Sequence, residues 1–206
     1  MCSSLAICWV TYIRDVTPYF SSEGNDETNA IVIKHVIQQH QARVINSRDD
    51  EDVQPIRIRR SHVFVDALRQ FSKKSFDVNK MLRVQFIGEE AVDAGGPRRE
   101  LFHLLTHEIF TTSSLFEGFP SHVIPCHKAE AVANNTYYYI GKMISTCIIQ
   151  GGEVPVCFAK AVADYLVYDE VKSSVCLDDI PYMNVRESLQ KVANLICYIR
   201  CIYMCV

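Results

Sequence analysis

MLRVQFIGEEAVDAGGPRRELFHLLTHEIF, Met81 to Phe110, places a strand, a tight acidic turn and a helix in immediate succession. In Met81 to Ile87, Leu82, Val84 and Phe86 alternate with Arg83 and Gln85. That is the period-two pattern of a strand with one buried face. The strand stops at Gly88, and Gly95 and Gly96 then offer backbone angles closed to other residues. Pro97 suits a first helical position, where its missing N–H has no partner to lose, so a helix is expected to start there. Leu101, Leu104, Leu105 and Ile109 supply its inward stripe, leaving Arg98, Arg99 and Glu108 for water or partners.

A glycine-rich turn between strand and helix invites a phosphate-binding reading, because helix N-termini attract anions. Neither G-x-G-x-x-G nor G-x-x-x-x-G-K-[ST] is present, and Glu89, Glu90 and Asp93 repel an anion. The turn therefore reads as structural, with Asp93 expected to pair with Arg98 or Arg99.

The run F-I-G-E-E-A-V-D-A-G-G-P-R-R-E-L-F-H-L-L-T-H-E-I-F resembles the signature near the start of the HECT domain of ubiquitin-protein ligases. The usual form there is F-x-G-E-E-G-x-D-x-G-G-x-x-R-E-x-F, followed by a helix ending S-H-E-x-F. Gly88, Glu89, Glu90, Asp93, Gly95, Gly96, Arg99 and Glu100 carry the match, with Phe102, His107, Glu108 and Phe110 beyond them, while Ala91 replaces a glycine. Tyr139 to Lys142 resembles the family's F-x-x-I-G-R segment, and Cys157 to Val192 follows its helical course more loosely. Within the family, the phrasing is similar to the G2/M-phase-specific ligase group. The resemblance implies an α+β, predominantly helical fold with short strands, the first part of a HECT N-terminal lobe. It also implies ubiquitin-protein transfer, with a ubiquitin-conjugating enzyme, ubiquitin and protein substrates as partners, and no cofactor.

Around this centre the chain divides into three expected parts. Residues 1–52 read as a poorly specified arm: Ser21 to Asn29 is polar, Ile31 to Val44 has the apolar residues for a short helix, and Asp49 to Asp52 is a solvated acidic linker. Residues 53–194 read as the partial HECT lobe and 195–206 as an atypical apolar, cysteine-rich tail. In the lobe, Ile56 and Ile58 alternate with Arg57 and Arg59 in a short strand, with Ser61 a candidate N-cap. Val63, Phe64, Ala67, Leu68 and Phe71 then form a helical stripe. Arg57, Arg59 and Arg60 read as a solvated face rather than a nucleic-acid patch, since the chain's net charge of -3 provides no basic field.

Nine cysteines, an odd number set mostly in apolar helical runs, favour reduced thiols in a cytoplasmic or nuclear protein over a disulfide framework. Met1 to Val16 has no positive n-region or clear cleavage site, so no signal peptide is read, and no apolar run is long enough to span a bilayer. His103 and His107 stand four apart with Glu108 beside them, but H-x-x-x-H-E lacks a third ligand. His122, Cys126 and His127 share a loop and need a fourth ligand from elsewhere, so no metal site is assigned.

Thr146-Cys147 is the chain's only Thr-Cys step, and HECT ligases carry ubiquitin on a cysteine that follows a threonine. Here Tyr137, Ile140, Ile144, Cys147 and Ile148 recur at helical spacing, which places the thiol on an apolar face where burial makes it inert. The family's catalytic cysteine lies in a separate lobe, in a loop resembling T-C-x-N-x-L that this sequence does not contain. No catalytic residue is therefore assigned. Gly151 and Gly152 end one helix, and Pro155 starts another with Phe158, Val162, Tyr165 and Leu166 inward. Asn184 is a candidate N-cap for a last helix with Val185, Leu189, Val192, Ile196 and Ile199 as its stripe. The expected function is that of a HECT-family ubiquitin ligase lacking its catalytic lobe and conjugating-enzyme dock, inactive alone. The alternatives are a non-catalytic interaction module that competes with full-length ligases, and a small zinc protein using His103, His107, Cys126 and His127.

Overall fold

The computed structural model describes residues 53–89, 95–119, 122–152, 157–168, 177–180 and 182–204, with helical positions at 35, 37–39, 41 and 42. Those few positions fall inside the short helix expected over Ile31 to Val44. The rest of the arm, Asp93 and Pro155 lie outside the described residues. The fold is α+β and mostly helical. By compactness the chain forms two units, Met1–Phe116 with Cys126–Val156, and Glu117–Pro125 with Cys157–Val206.

The first unit is built on a parallel pair, β1 (Val53–Ile58) and β2 (Met81–Phe86), with Val53 opposite Met81 through to Ile58 opposite Phe86. Parallel strands need a crossover, and α1 (Val63–Phe71) supplies it. The alternation seen in the sequence survives in three dimensions: Ile56, Ile58, Leu82, Val84 and Phe86 are buried, while Arg57, Arg83 and Gln85 are exposed. Helix α2 (Gly96–His107) follows β2, with Gly95 in the left-handed region at φ 93° just before it. Leu101, Phe102 and Leu105 are buried on its inner face. Its end widens into a π-helical turn over Glu108–Thr112, where the Ser113 N–H reaches the Glu108 carbonyl at 2.9 Å.

A short α3 (Ala129–Ala133) leads into α4 (Thr136–Ile149), whose last seven residues from Met143 are all buried. Helix α4 ends in a Schellman motif. The Gly152 N–H bonds the Cys147 carbonyl at 2.8 Å, the Gly151 N–H bonds Ile148 at 3.4 Å, and Gly151 takes φ 83°. The packed core thus joins α1 to β1, α2 and α4, with α2 also against β2.

In the second unit, β3 (Phe116–Phe119, all but its first residue) and β4 (His122–Pro125) form a small sheet. Val123 also bridges Phe158: its N–H bonds the Cys157 carbonyl at 2.7 Å, and the Ala159 N–H returns to it at 3.0 Å. Helices α5 (Lys160–Tyr168) and α6 (Met183–Met204) complete the unit.

Three sequence expectations are corrected here. Tyr165 is exposed rather than inward. Phe158 is engaged in the bridge, α5 starts only at Lys160, and Val162 and Leu166 of the expected stripe are half-buried. Asn184 does not cap α6: it lies within the helix, and the Arg186 N–H already bonds the Tyr182 carbonyl at 2.9 Å. Finally, Val185, Leu189, Val192 and Ile196 are exposed. Periodicity identifies a stripe but not whether anything covers it.

Candidate functional site

The acidic turn is gripped by one side chain from outside it. Arg60, in a 3-10 turn between β1 and α1, forks onto two carboxylates. Its Nε and Nη2 donate to Glu89, the latter at 2.9 Å, and its Nη1 and Nη2 donate to Glu100, the latter at 3.0 Å. The guanidinium also lies over the Phe86 ring, 4.1 Å from its centroid. The planar fork of arginine suits such multiple acceptance. The hydrogen bonds from Arg60 hold both glutamates below the usual carboxylate range and raise Arg60 in turn. Glu89 lies three residues beyond the end of β2 and Glu100 sits early in α2, so Arg60 ties the two sides of the turn together. Gly88 precedes the turn at φ 93°, and the Arg99 N–H bonds the Gly95 carbonyl at 3.3 Å. Glu90 and Asp93 lie outside the described residues.

Next to it, Arg59 holds Asp66. The buried carboxylate accepts from the Arg59 backbone N–H at 3.0 Å, Nε at 2.8 Å and Nη2 at 2.7 Å. These bonds hold Asp66 well below the ordinary carboxylate range. Arg57 and Arg60 are exposed, as the solvated-face reading expects, and Arg59 is half-buried; Arg59 and Arg60 are in addition engaged by carboxylates.

Helix α1 is secured at both ends by remote side chains. The Glu108 carboxylate accepts from the Phe64 N–H at 2.7 Å, capping the N-terminus, and Lys142 Nζ donates to the Phe71 carbonyl at 3.1 Å at the C-terminus. Each charge has the sign that complements the helix macrodipole. Burial lowers the Lys142 pKa, and its ammonium lies 5.1 Å from the Phe76 ring centroid. Two expectations are corrected by this arrangement. Ser61 makes no capping bond, its hydroxyl instead lying 2.7 Å from His62 Nδ1, and Glu108 turns inward rather than to water. Sequence spacing offered no signal for either contact, since the partners are 44 and 71 residues apart. Gln150 is a further anchor the sequence did not reveal: buried at the end of α4, it accepts from the Leu82 N–H at 2.9 Å and donates to the Lys80 carbonyl at 3.0 Å.

Two of the three described thiols are disfavoured as nucleophiles by burial. Cys147 is buried on α4, as its apolar surroundings require, and the neighbouring Thr146 hydroxyl is turned to the Lys142 carbonyl at 2.8 Å. Burial pushes the Cys157 thiol up to about 11. Cys126 is half-buried, and its carbonyl accepts from the Tyr137 hydroxyl. The histidines have other engagements: His107 Nδ1 lies 3.3 Å from the Thr111 hydroxyl, and His122 stacks on Phe119 with Nε2 3.1 Å from Asp179. His103 is exposed on α2, as is His127 before α3. Among the described residues no group of three or more His, Cys, Asp or Glu is placed to hold a metal ion, and no helix is long and apolar enough to cross a membrane.

Over part of its length the chain is similar to E3 ubiquitin-protein ligases, which supports a HECT-like region in it. The G2/M phase-specific E3 ubiquitin-protein ligase of Macaca fascicularis is 27% identical over 138 residues, 66% of this chain and 19% of that protein. The E3 ubiquitin-protein ligase RSP5 of Chaetomium thermophilum is 33% identical over 100 residues, 45% of this chain and 12% of its own length. The probable E3 ubiquitin-protein ligase mug30 of Schizosaccharomyces pombe reaches 40% over 68 residues, 33% of this chain and 8% of its own. The chain thus spans a fifth or less of the length of these relatives. No family model matches it.

Proposed function

We propose that this polypeptide provides the scaffold of a HECT N-terminal lobe in ubiquitin-protein transfer, and that its 206 residues do not by themselves accept ubiquitin. The observation that supports this most is the use made of the signature's charges. Glu89 and Glu100 are spent on Arg60, so they set the turn and are not free to act as acid or base. A thioester intermediate needs an accessible thiolate, and neither buried Cys147 nor Cys157, with its thiol pushed up to about 11, suits that role at neutral pH. In this reading the partners are a ubiquitin-conjugating enzyme, ubiquitin and protein substrates, with nucleic acid playing no part, and the setting is cytoplasmic or nuclear.

A thioester assay tests it. The purified chain is mixed with activating enzyme, a panel of conjugating enzymes and ubiquitin, alongside an intact HECT ligase. The expected result is a thiol-sensitive ubiquitin adduct on the control ligase only. An adduct on this chain that a single Cys→Ala change removes would overturn the proposal. The competing reading, a non-catalytic module that occupies a partner of full-length ligases, is favoured by the exposed apolar face of α6 and would show as inhibition of the control ligase by added chain.

A further inference from the structure

Within the second unit, the β3–β4 pair holds the base of α6 through two titratable contacts. His122 on β4 brings Nε2 to 3.1 Å from Oδ1 of Asp179, in the 3-10 turn Leu177–Asp179. The Tyr182 hydroxyl, one residue before α6, donates to the Glu117 carboxylate on β3. Behind the turn, Arg186 secures the same base: Nη1 donates to Asp178 Oδ1 at 3.3 Å, and Nη2 to the Asp178 and Ile180 carbonyls at 3.2 and 2.8 Å.

The His122 contact differs in kind from the others. The side chains of His122 and Asp179 are only 19% and 17% exposed, and the Phe119 ring stacks on the imidazole with centroids 5.0 Å apart. Nε2 is shielded from water yet makes no aligned hydrogen bond, so a neutral ring gains little from the carboxylate. A protonated ring gains the attraction of an opposite charge in a poorly solvated place. The ionisable groups on the neighbouring elements are Glu117 on β3, Asp178 and Asp179 in the turn, Tyr182 after it, Arg186 and Glu187 on α6, Lys160 and Asp164 on α5, and the Cys157 thiol, which stays neutral with its pKa pushed up to about 11. Carboxylates predominate among them, and they favour a cationic ring.

We infer that His122 and Asp179 form a proton-dependent latch between β4 and the base of α6. Imidazole is the side chain that ordinarily titrates between about pH 5 and 8. With its proton on, the ion pair holds the turn. With the proton off, the Tyr182 and Arg186 contacts remain and the turn opens more often. The latch is therefore strongest below the imidazole range and above about pH 4, where carboxylates take up protons, and it weakens as pH rises.

Hydrogen exchange on the full chain, read by mass spectrometry at about pH 5.5 and about pH 8 and normalised to the unfolded chain at each pH, tests this. Peptides covering residues 177–186 and 116–125 should lose about two- to fivefold in protection at the higher pH, the worth of one partly exposed ion pair. Helix α4, in the first unit, should show no such change. His122→Gln and Asp179→Asn should each abolish the difference, with circular dichroism confirming the fold; should one of them not fold, the other carries the reading. Equal protection at the two pH values in the wild type, or a pH dependence that survives in a folded variant, overturns the inference.

Discussion

Replacing Arg59 by alanine strips two of the three donors from a carboxylate that water scarcely reaches. Asp66, its side chain 5% exposed, is left with the Arg59 backbone N–H at 3.0 Å and the more distant Arg69 guanidinium at 3.5 Å. The cost falls on the buried carboxylate: leaving such a group short of donors costs about 1–3 kcal/mol at pH 7. The pH dependence has a definite sign. Asp66 is held below its unfolded value of about 3.9, so its contribution is complete above that pH and disappears as pH falls toward the folded value. Urea unfolding followed by circular dichroism should therefore show a gap between wild type and Arg59→Ala that is constant from pH 8 to about 5 and shrinks below about 4. A gap under about 0.5 kcal/mol at pH 7, or one that stays constant down to pH 3, would refute the reasoning.

The other predictions use the same urea assay. Glu108→Ala should cost about 1–2 kcal/mol, the worth of a charged N-terminal cap, and Glu108→Gln less, because the amide oxygen can still accept from Phe64; equal costs for the two would show that the contact is not a cap. Gly152→Ala should cost about 1–3 kcal/mol or more, since a β-carbon there would stand 2.2 Å from Cys147 Sγ and 2.9 Å from the Phe102 ring. Gly141→Ala meets nothing within 4 Å inside α4 and should be neutral or gain up to about 1 kcal/mol.

What the sequence made legible was local. Alternation in Met81 to Phe86 and the Gly-Gly-Pro step located β2 and the start of α2, and 3.6-residue spacing located α1 and the buried face of α4 with Cys147 on it. The tertiary partners of polar residues were hidden. Arg60 finds its carboxylates 29 and 40 residues away, and Gln150 finds Leu82 68 residues away, distances over which no periodic pattern runs. Ser61 illustrates the hazard of a local rule: it has a capping side chain near the right place, yet an intervening 3-10 turn removes it from the cap and a distant glutamate takes over. The stripe on α6 failed differently, because its spacing was right and only its burial was wrong.

Helix α1 has boundaries written elsewhere in the chain. One end is defined by a residue that follows α2, the other by a residue within α4, and neither definition exists until those segments have arrived. A nine-residue segment of this kind has little helicity of its own, since nucleation is costly and short helices are marginal in water. Its formation is thereby deferred to the moment of tertiary closure, and the parallel pairing of β1 with β2, which needs α1 as its crossover, is deferred with it. During synthesis the strand Val53–Ile58 gains its partner only once Phe86 has emerged, and the helix after it gains its two remote contacts only with Glu108 and then Lys142.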